Sequence, residues 1–594
     1  MKKSIYLCGA VMALSLSACQ KDFLNRLPQT AVTSENSFQS PKDLEIYTNT
    51  MYGMIGPSYS DGFSDNIAGM AGASTTDNMV RGNLTVANAG GWNNWGDLRR
   101  INIMLDNVHR TKGNAADINH FVGIAKLYRA NWYYNMVKIY GDVPWYGKEI
   151  KDSDTEGLMK KQDPRTLVVD SIMADLDFAV THIKAAGTNT RITKWAALNL
   201  LSRIALYEGS YRRYHEYLGL QATAASFYKK SAEAARRVMD EGGFVIHNTG
   251  KLGEDYRALF SNPNLSDNKE VLFLKKNSMG EGVGNNSHTV FDYEWAMSKE
   301  LMEEYLMKDG SRFTDQLGNE TMKITQLFKN RDPRLAELIM EPGFKTNPNL
   351  NLPHILKPTY GGYLQVKFYP RDPELRKGWN LNYTDLPIMR YAETLLNYAE
   401  AKAELGTLTQ EDLNITIARL RARVGMPALI LNAANSNVDP LLEARYANVK
   451  QNKGIVLEIR RERRTELAAE GFRLDDLNRW GVGQLLAQAP KGMYVEALGL
   501  MDVTGDGNPD IAILEKKSDD NAWAVLPKDQ RDKITPHYLS DDVIYLSEGN
   551  KGHIMFTRDK KQPRNWEAPM YYYRPIPIQQ TVLNPNLSQP FGWK

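Results

Sequence analysis

The chain has 594 residues, 24% of them charged, and a formal net charge of +3. So even a balance argues against a nucleic-acid partner, which asks for a clustered basic face. Two cysteines, Cys8 and Cys19, rule out a disulfide-stapled scaffold, and a mean hydropathy of −0.47 with no second long apolar run argues against a bilayer-spanning helix.

The first element in chain order is MKKSIYLCGAVMALSLSAC. Lys2 and Lys3 precede an apolar run over 5–16, too short for an ordinary spanning helix and suited to a secretory signal. The run closes on Leu16-Ser17-Ala18-Cys19, small residues ahead of a cysteine, as cleavage before a lipid-modified cysteine requires. Removal of 1–18 discards Cys8 and leaves a single thiol in an exported chain. Acylation of Cys19 explains that thiol and anchors the protein to a membrane. Residues 19–40 read as a polar tether, with Asn36 and Ser37 suited to starting a helix.

No Pro/Ser-rich linker divides the remainder, so one large body is expected, with a helical region at 41–242 and a mixed region at 243–594. Helices are predicted over 42–56, 98–108, 121–140, 164–185, 195–208 and 222–241. In 121–140, Phe121, Ile124, Tyr128, Trp132 and Met136 recur every three or four residues before Gly141 and Pro144 stop the helix. Alanines on these helices allow close packing in stacked hairpins. The stretch 57–95 is rich in Gly, Asn, Ser and Asp and reads as irregular surface. After 243 come short extended segments at 244–246 and 271–274, helices at 388–405, 411–424 and 454–470, and a proline-rich tail laid over the body.

Four segments resemble the SusD/RagB family: KLYRANWYYNMVKIYGDVPW at 126–145, RITKWAALNLLSRIALYEG at 191–209, MRYAETLLNYAEAKAELG at 389–406 and ERRTELAAEGFRLDDLNRWG at 462–481. The tail PIPIQQTVLNPNLSQPFGW at 575–593 also fits. The resemblance implies a mainly α fold of tetratricopeptide-like helical hairpins carrying a looped, mixed, glycan-facing lobe. It also implies a non-catalytic surface lipoprotein that captures oligosaccharides for a SusC-like TonB-dependent outer-membrane barrel, with Asp22 compatible with the family's acidic surface-display signal. A peptide-binding uptake subunit and a surface glycoside hydrolase are the alternatives.

The stretch 458–480 carries six arginines and six acids, which cancel. Glu462 has no basic residue three or four positions away, so its partner must come from another element, and a network of Arg–carboxylate pairs tying this helix to its neighbours is expected. Signatures of enzymes are incomplete: His215-Glu216 lacks the second histidine of a zinc helix, and the glycine-rich 280–284 completes no phosphate loop. Asp502, Thr504, Asp506 and Asp510 offer oxygens at the spacing of a calcium loop, but Ile513 stands where the bidentate Glu belongs, so a possible structural calcium competes with a plain Asp/Gly turn.

Sugars present C–H faces to aromatic rings and hydroxyls to amides and charged groups. Trp92, Asn93 and Trp95 in a Gly/Asn loop, with Asp77 and Arg81 upstream, are the leading glycan-binding candidates, Trp92 being expected at the surface and Trp95 either there or in the core. Tyr293 and Trp295 are further candidates, with a half-buried strand as the competing reading, and Trp379 is a weaker one.

Overall fold

The computed structural model describes residues 37–594 apart from 63, 70–73, 93, 518 and 520–525. The predicted signal segment, Cys19, Asp22 and most of the tether fall outside the described residues, as does Asn93.

The helical half is built from α1 (Pro41–Asn49), α2 (Thr75–Val80), α3 (Trp95–Asn107), α4 (Ala115–Tyr140), α5 (Arg165–His182), α6 (Lys194–Tyr214) and α7 (Ala224–Glu241). Helix α1 is capped by Ser40 rather than by the predicted Ser37, and the predicted Asn36 lies outside the described residues. The Ser40 side chain accepts from the Asp43 N–H, the Asp43 carboxylate accepts from the Ser40 N–H, and Pro41 occupies the first turn. Helix α4 is longer than its apolar period suggests, because Asn114 caps a more polar first turn at Ala116 N–H. It ends where expected, at Gly141 with φ +75°.

Helix α4 lies along α5, and α6 along α7. The next helix, α8 (Tyr391–Glu404), packs on α7 and then on α10 (Lys453–Glu466), with α9 (Ile417–Arg423) beside it and α11 (Arg473–Arg479) following. The predicted stacking of helical hairpins is therefore present. The predicted 411–424 helix is broken in two at Thr416, whose hydroxyl turns back to the Asp412 carbonyl.

The mixed half contains β1 (Ile67–Gly69), β2 (Val271–Lys275), β3 (Ala296–Met297), β4 (Leu386–Arg390), β5 (Tyr494–Val495), β6 (Gly499–Met501), β7 (Ile511–Leu514), β8 (Thr535–Tyr538), β9 (Ile544–Leu546) and β10 (Gly552–Phe556). They form small sheets in the orders β1-β3, β2-β4, β5-β10-β9 and β6-β7-β8, antiparallel except for the β7-β8 pair. The proline-rich tail includes a short helix not among those predicted, α13 (Ile578–Leu583), preceded by α12 (Thr557–Lys561).

Among the described residues two large apolar cores result, with smaller clusters beside them. One joins the helices through residues such as Leu127, Ile172, Leu200 and Leu395; the other gathers Tyr256, Phe260, Tyr305, Phe368 and Ile511. Helix α10 reaches both, with Leu457 and Ile459 in the first and Ala468 and Ala469, just past its end, in the second.

Its charged face supplies the predicted ion-pair network. Glu462 accepts from Arg334 at 2.6 Å and Arg421 at 2.8 Å. Glu466 meets Arg423 at 2.5 Å, Arg390 at 2.7 Å and Arg334 at 3.0 Å. Burial alone pushes the Glu466 carboxyl up, but the three guanidiniums outweigh it and hold the group well below the usual carboxylate range. Glu470 lies beyond the helix, which ends at Glu466 rather than at the predicted 470, and turns back to Arg390 at 2.6 Å and Lys367 at 2.7 Å.

Glu466→Gln removes one charge from a buried cluster and leaves its arginines undercompensated. A loss of about 3–5 kcal/mol is expected, read as a lowered denaturant midpoint with an unchanged slope.

Acid has a related effect through Glu400. Burial opposes its ionisation, Arg479, Arg463 and Arg460 overcome that, and the carboxyl sits at about 2 instead of its ordinary 4.5. Because the folded value is depressed, the stabilisation is fully present above 4.5 and is lost as pH falls toward 2. The acid limb of a thermal-stability profile should flatten in Glu400→Gln, and an unchanged limb would refute this assignment.

Candidate functional site

A groove of about 610 Å³ opens beside the start of α3. Its aromatic side is built by local geometry. Gly91 has φ +102°, and a Cβ there would sit 2.5 Å from the Tyr140 hydroxyl. That hydroxyl accepts the Trp92 N–H at 3.0 Å, fixing Trp92 at φ +47°. The Trp92 ring is drawn inward against Tyr140, 4.8 Å between centroids, and is only 6% exposed. The expectation that Trp92 stands at the surface is therefore corrected: it is a buried prop with one edge on the groove.

Trp95, the first residue of α3, is half-buried. It contacts Trp92 at 5.5 Å, Trp132 at 4.9 Å and Tyr146 at 5.5 Å. The Trp132 indole N–H donates to the Asn94 carbonyl, anchoring the turn that presents Trp95. Tyr146 is positioned by the segment after Pro144. Its N–H donates to the Tyr133 hydroxyl at 2.6 Å, and the Asn102 amide donates to the Tyr146 and Lys148 carbonyls at 2.9 Å each. Asn102 is in turn held by Arg129.

The rim is polar on one side and aliphatic on the other. Arg99 pairs with Glu149 and Asp152, and Lys148 and Asp152 are exposed. The far wall is formed by Leu158, Met159 and the tail helix α13, with Gln580 and Leu583 lining the opening. The Asn584 amide donates to the Leu158 and Lys160 carbonyls, tying the tail to that wall. Sequence reasoning missed Tyr146, Arg99, Lys148, Asp152 and the whole far wall. The available signals were the Trp145-Tyr146 pair after Pro144 and the apolar spacing of Ile578, Val582 and Leu583 within the tail.

The other predicted residues lie elsewhere. Arg81 does not present its guanidinium to solvent. It donates to Asp77 at 3.0 Å, to Asp559 at 2.6 Å and to the Gln562 and Arg558 carbonyls. Arg558 pairs with Asp77 at 2.6 Å, and Arg564 with Asp559 at 2.7 Å. Asp77 and Arg81 thus brace α2 against 558–564 and border a separate cavity of about 160 Å³ with Tyr360 and Phe556.

Tyr293 is 50% exposed but sits in a turn after a short helix, Thr289–Asp292, rather than in the half-buried strand considered for it. Trp295 is half-buried and stacks on Tyr59 at 6.5 Å. Trp379 is 64% exposed in the loop whose Asn380 bonds Asn286. Neither Tyr293 nor Trp295 lines the α3 groove.

In the 502–510 loop the carboxylates turn onto the loop's own backbone. Asp502 accepts from the Gly505 and Gly507 N–H groups, Asp506 from Asn508 N–H, and Asp510 from Val503 and Thr504 N–H. Among the described residues no group of three or more His, Cys, Asp or Glu is arranged to hold a metal ion.

The SusD family model matches residues 269–593, and a second model, described as starch-binding associating with outer membrane, matches 22–206. The chain belongs to the SusD family. Among curated relatives of this SusD-family chain, SusD-like protein P2 of Formosa agariphila is 22% identical over 399 residues, 64% of this chain and 69% of the relative. SusD-like protein P25 of the same organism is 24% identical over 229 residues, 34% of this chain. A SusD-like protein of Bacteroides ovatus is 23% identical over 297 residues, 47% of this chain. The chain spans 42% of P25 and 51% of the Bacteroides ovatus protein.

The fold resembles a SusD-like protein from Bacteroides fragilis (TM-score 0.67, 18% identity, 96% of this chain and 100% of the other). It also resembles a SusD-like carbohydrate binding protein from the same species (0.66, 19%, 93% and 99%). A laminarin binding SusD-like protein aligns with TM-score 0.56 at 17% identity over 94% of this chain and all of the other. The mainly helical SusD-like architecture expected from the sequence is thereby established.

Replacing Arg81 with Ala strips Asp77 and Asp559 of a shared buried partner while leaving Asp77 to Arg558 and Arg564 and Asp559 to Arg564. A cost of about 2 kcal/mol is expected, with faster amide hydrogen exchange confined to α2 and 558–565. Exchange that is unchanged there would show that the brace does not hold these segments together.

Proposed function

We propose that this SusD-family chain is a non-catalytic outer-membrane lipoprotein, anchored through Cys19 at the cell surface, that captures oligosaccharides and delivers them to a SusC-like TonB-dependent barrel. The observation that carries the capture role is the α3 groove. It sets the half-buried rings of Trp95 and Tyr146 beside Arg99, Lys148, Asp152 and Gln580. Its volume is that of a ligand site, its rings suit the apolar faces of sugar rings, and its rim supplies donors and acceptors for hydroxyls. Among the described residues it is lined by one carboxylate, Asp152, whereas hydrolysis of a glycosidic bond ordinarily takes two.

Three further points support the reading. One matching family model is described as starch-binding associating with outer membrane. Similar folds include proteins described as carbohydrate binding and laminarin binding. No helix of the described residues is long and apolar enough to cross a membrane, so attachment by lipid at Cys19 accounts for a membrane location without a spanning helix. The aliphatic wall of Leu158, Met159 and Leu583 favours a peptide as the second reading.

Titration calorimetry against a panel of α- and β-glucan oligosaccharides tests the groove. Trp95→Ala should weaken the best ligand by about tenfold, the loss of a stacking ring, with no reducing ends released during incubation. Wild-type affinity in Trp95→Ala would place the ligand elsewhere, accumulating reducing ends would overturn the non-catalytic reading, and binding of peptides in place of sugars would favour the second reading. A mild-detergent pull-down from the native outer membrane tests the partnership, with near-equal recovery of a large barrel expected.

A further inference from the structure

A second cavity, of about 230 Å³, lies in the helical half, walled by the C-terminal part of α4, the middle of α6, β4 and the stretch joining α10 to α11. It holds the volume of about eight waters at roughly 30 Å³ each, the scale of one small ring and not of a chain of rings.

Every charged side chain that borders it is already paired. Arg203 forks onto Glu393 through Nε and Nη2 at 2.5 and 2.7 Å. Lys138 holds Asp475 at 2.6 Å. Arg463 and Arg479 share Asp476, and Arg479 also binds Glu400. Glu470 is taken by Arg390 and Lys367. An ionic ligand entering here would have to break one of these pairs.

The uncommitted groups are neutral. Asn131 and Tyr134, one turn apart on α4, are both more than nine-tenths buried. Neither side chain makes a hydrogen bond to a described residue, and neither is sealed in protein as the partnerless Tyr207 hydroxyl is. Both polar groups therefore face the cavity and are free to bond whatever fills it. An amide and a phenol each donate and accept, which is what ring hydroxyls do. Leu206, Ile55 and Ile388 supply apolar surface for C–H faces.

We infer that this cavity is a binding site for a single neutral polyhydroxylated ring, a monosaccharide or cyclic polyol, separate from the α3 groove and engaged through Asn131 and Tyr134. The site does not depend on the groove being the oligosaccharide site, because the two share no lining residue.

Ligand-detected NMR titration of the folded Trp95→Ala protein, with glucose, galactose, mannose, xylose and myo-inositol as probes, removes any contribution from the groove. At least one probe should give a saturable signal. Asn131→Leu should weaken it by about tenfold, and Tyr134→Phe, which deletes one oxygen and keeps the ring, by severalfold. Glucuronic acid and glucosamine, the charged counterparts, should bind more weakly than the neutral sugars. Absence of saturation by every neutral probe would mean that the cavity holds only solvent. Retention of affinity in both variants, or tighter binding of a charged counterpart, would equally overturn the inference. If Asn131→Leu fails to fold, Tyr134→Phe alone decides.

Discussion

Glu466 carries a negative charge to a place that solvent does not reach, and three arginines from three separate stretches of chain converge on it. Arg334 comes from the mixed half, Arg390 from the end of β4, and Arg423 from α9. A buried ion cluster of this kind contributes little net stability over an apolar core of equal volume, but it is costly to break and strict about geometry. Its effect here is positional. It sets α10 between the two apolar cores and fixes the turn through Glu470 that launches α11. The polar cavity bordered by Arg463, Glu470 and Asp475 depends on that turn, since its walls come from both sides of it.

The helical half was largely legible because apolar periodicity reports burial directly. Phe121 to Met136 announced α4 by spacing alone, and Gly141 announced its end. What periodicity does not encode is the polar first turn of α4, which is recruited by the Asn114 cap, or the break at Thr416, where a hydroxyl competes with the helix for the Asp412 carbonyl. The ion-pair network was legible by elimination, since Glu462 had no partner on its own helix and must find one elsewhere. The identity of that partner, Arg334, lies 128 positions away and has no local signature.

The site was legible only in part, for a reason of the same kind. Composition pointed to the Gly/Asn loop around 90–95 and correctly gathered aromatic rings there. It misjudged which ring faces outward, because that depends on the Tyr140 hydroxyl capturing the Trp92 backbone across 48 positions. Asp77 and Arg81 drew attention as a possible sugar-binding pair; Arg81 donates to Asp559 and to the carbonyls at 558 and 562, and Asp77 pairs with Arg558. A loop composition reveals that a surface is irregular and well supplied with functional groups. It does not reveal which of those groups are already engaged by segments hundreds of residues downstream.

The α3 groove joins parts of very different rigidity. Its rings are wedged into the helical core, each touching another ring, so they shift little without disturbing α3 and α4. Its far wall is assembled from 158–159 and the tail, segments 426 positions apart that meet through the Asn584 amide. Substitutions in the wall therefore change what lies alongside a bound ligand while the platform beneath it keeps its shape. Such a division separates the contacts made at a ligand's side from the aromatic platform beneath it, so that the shape of one can change without the other.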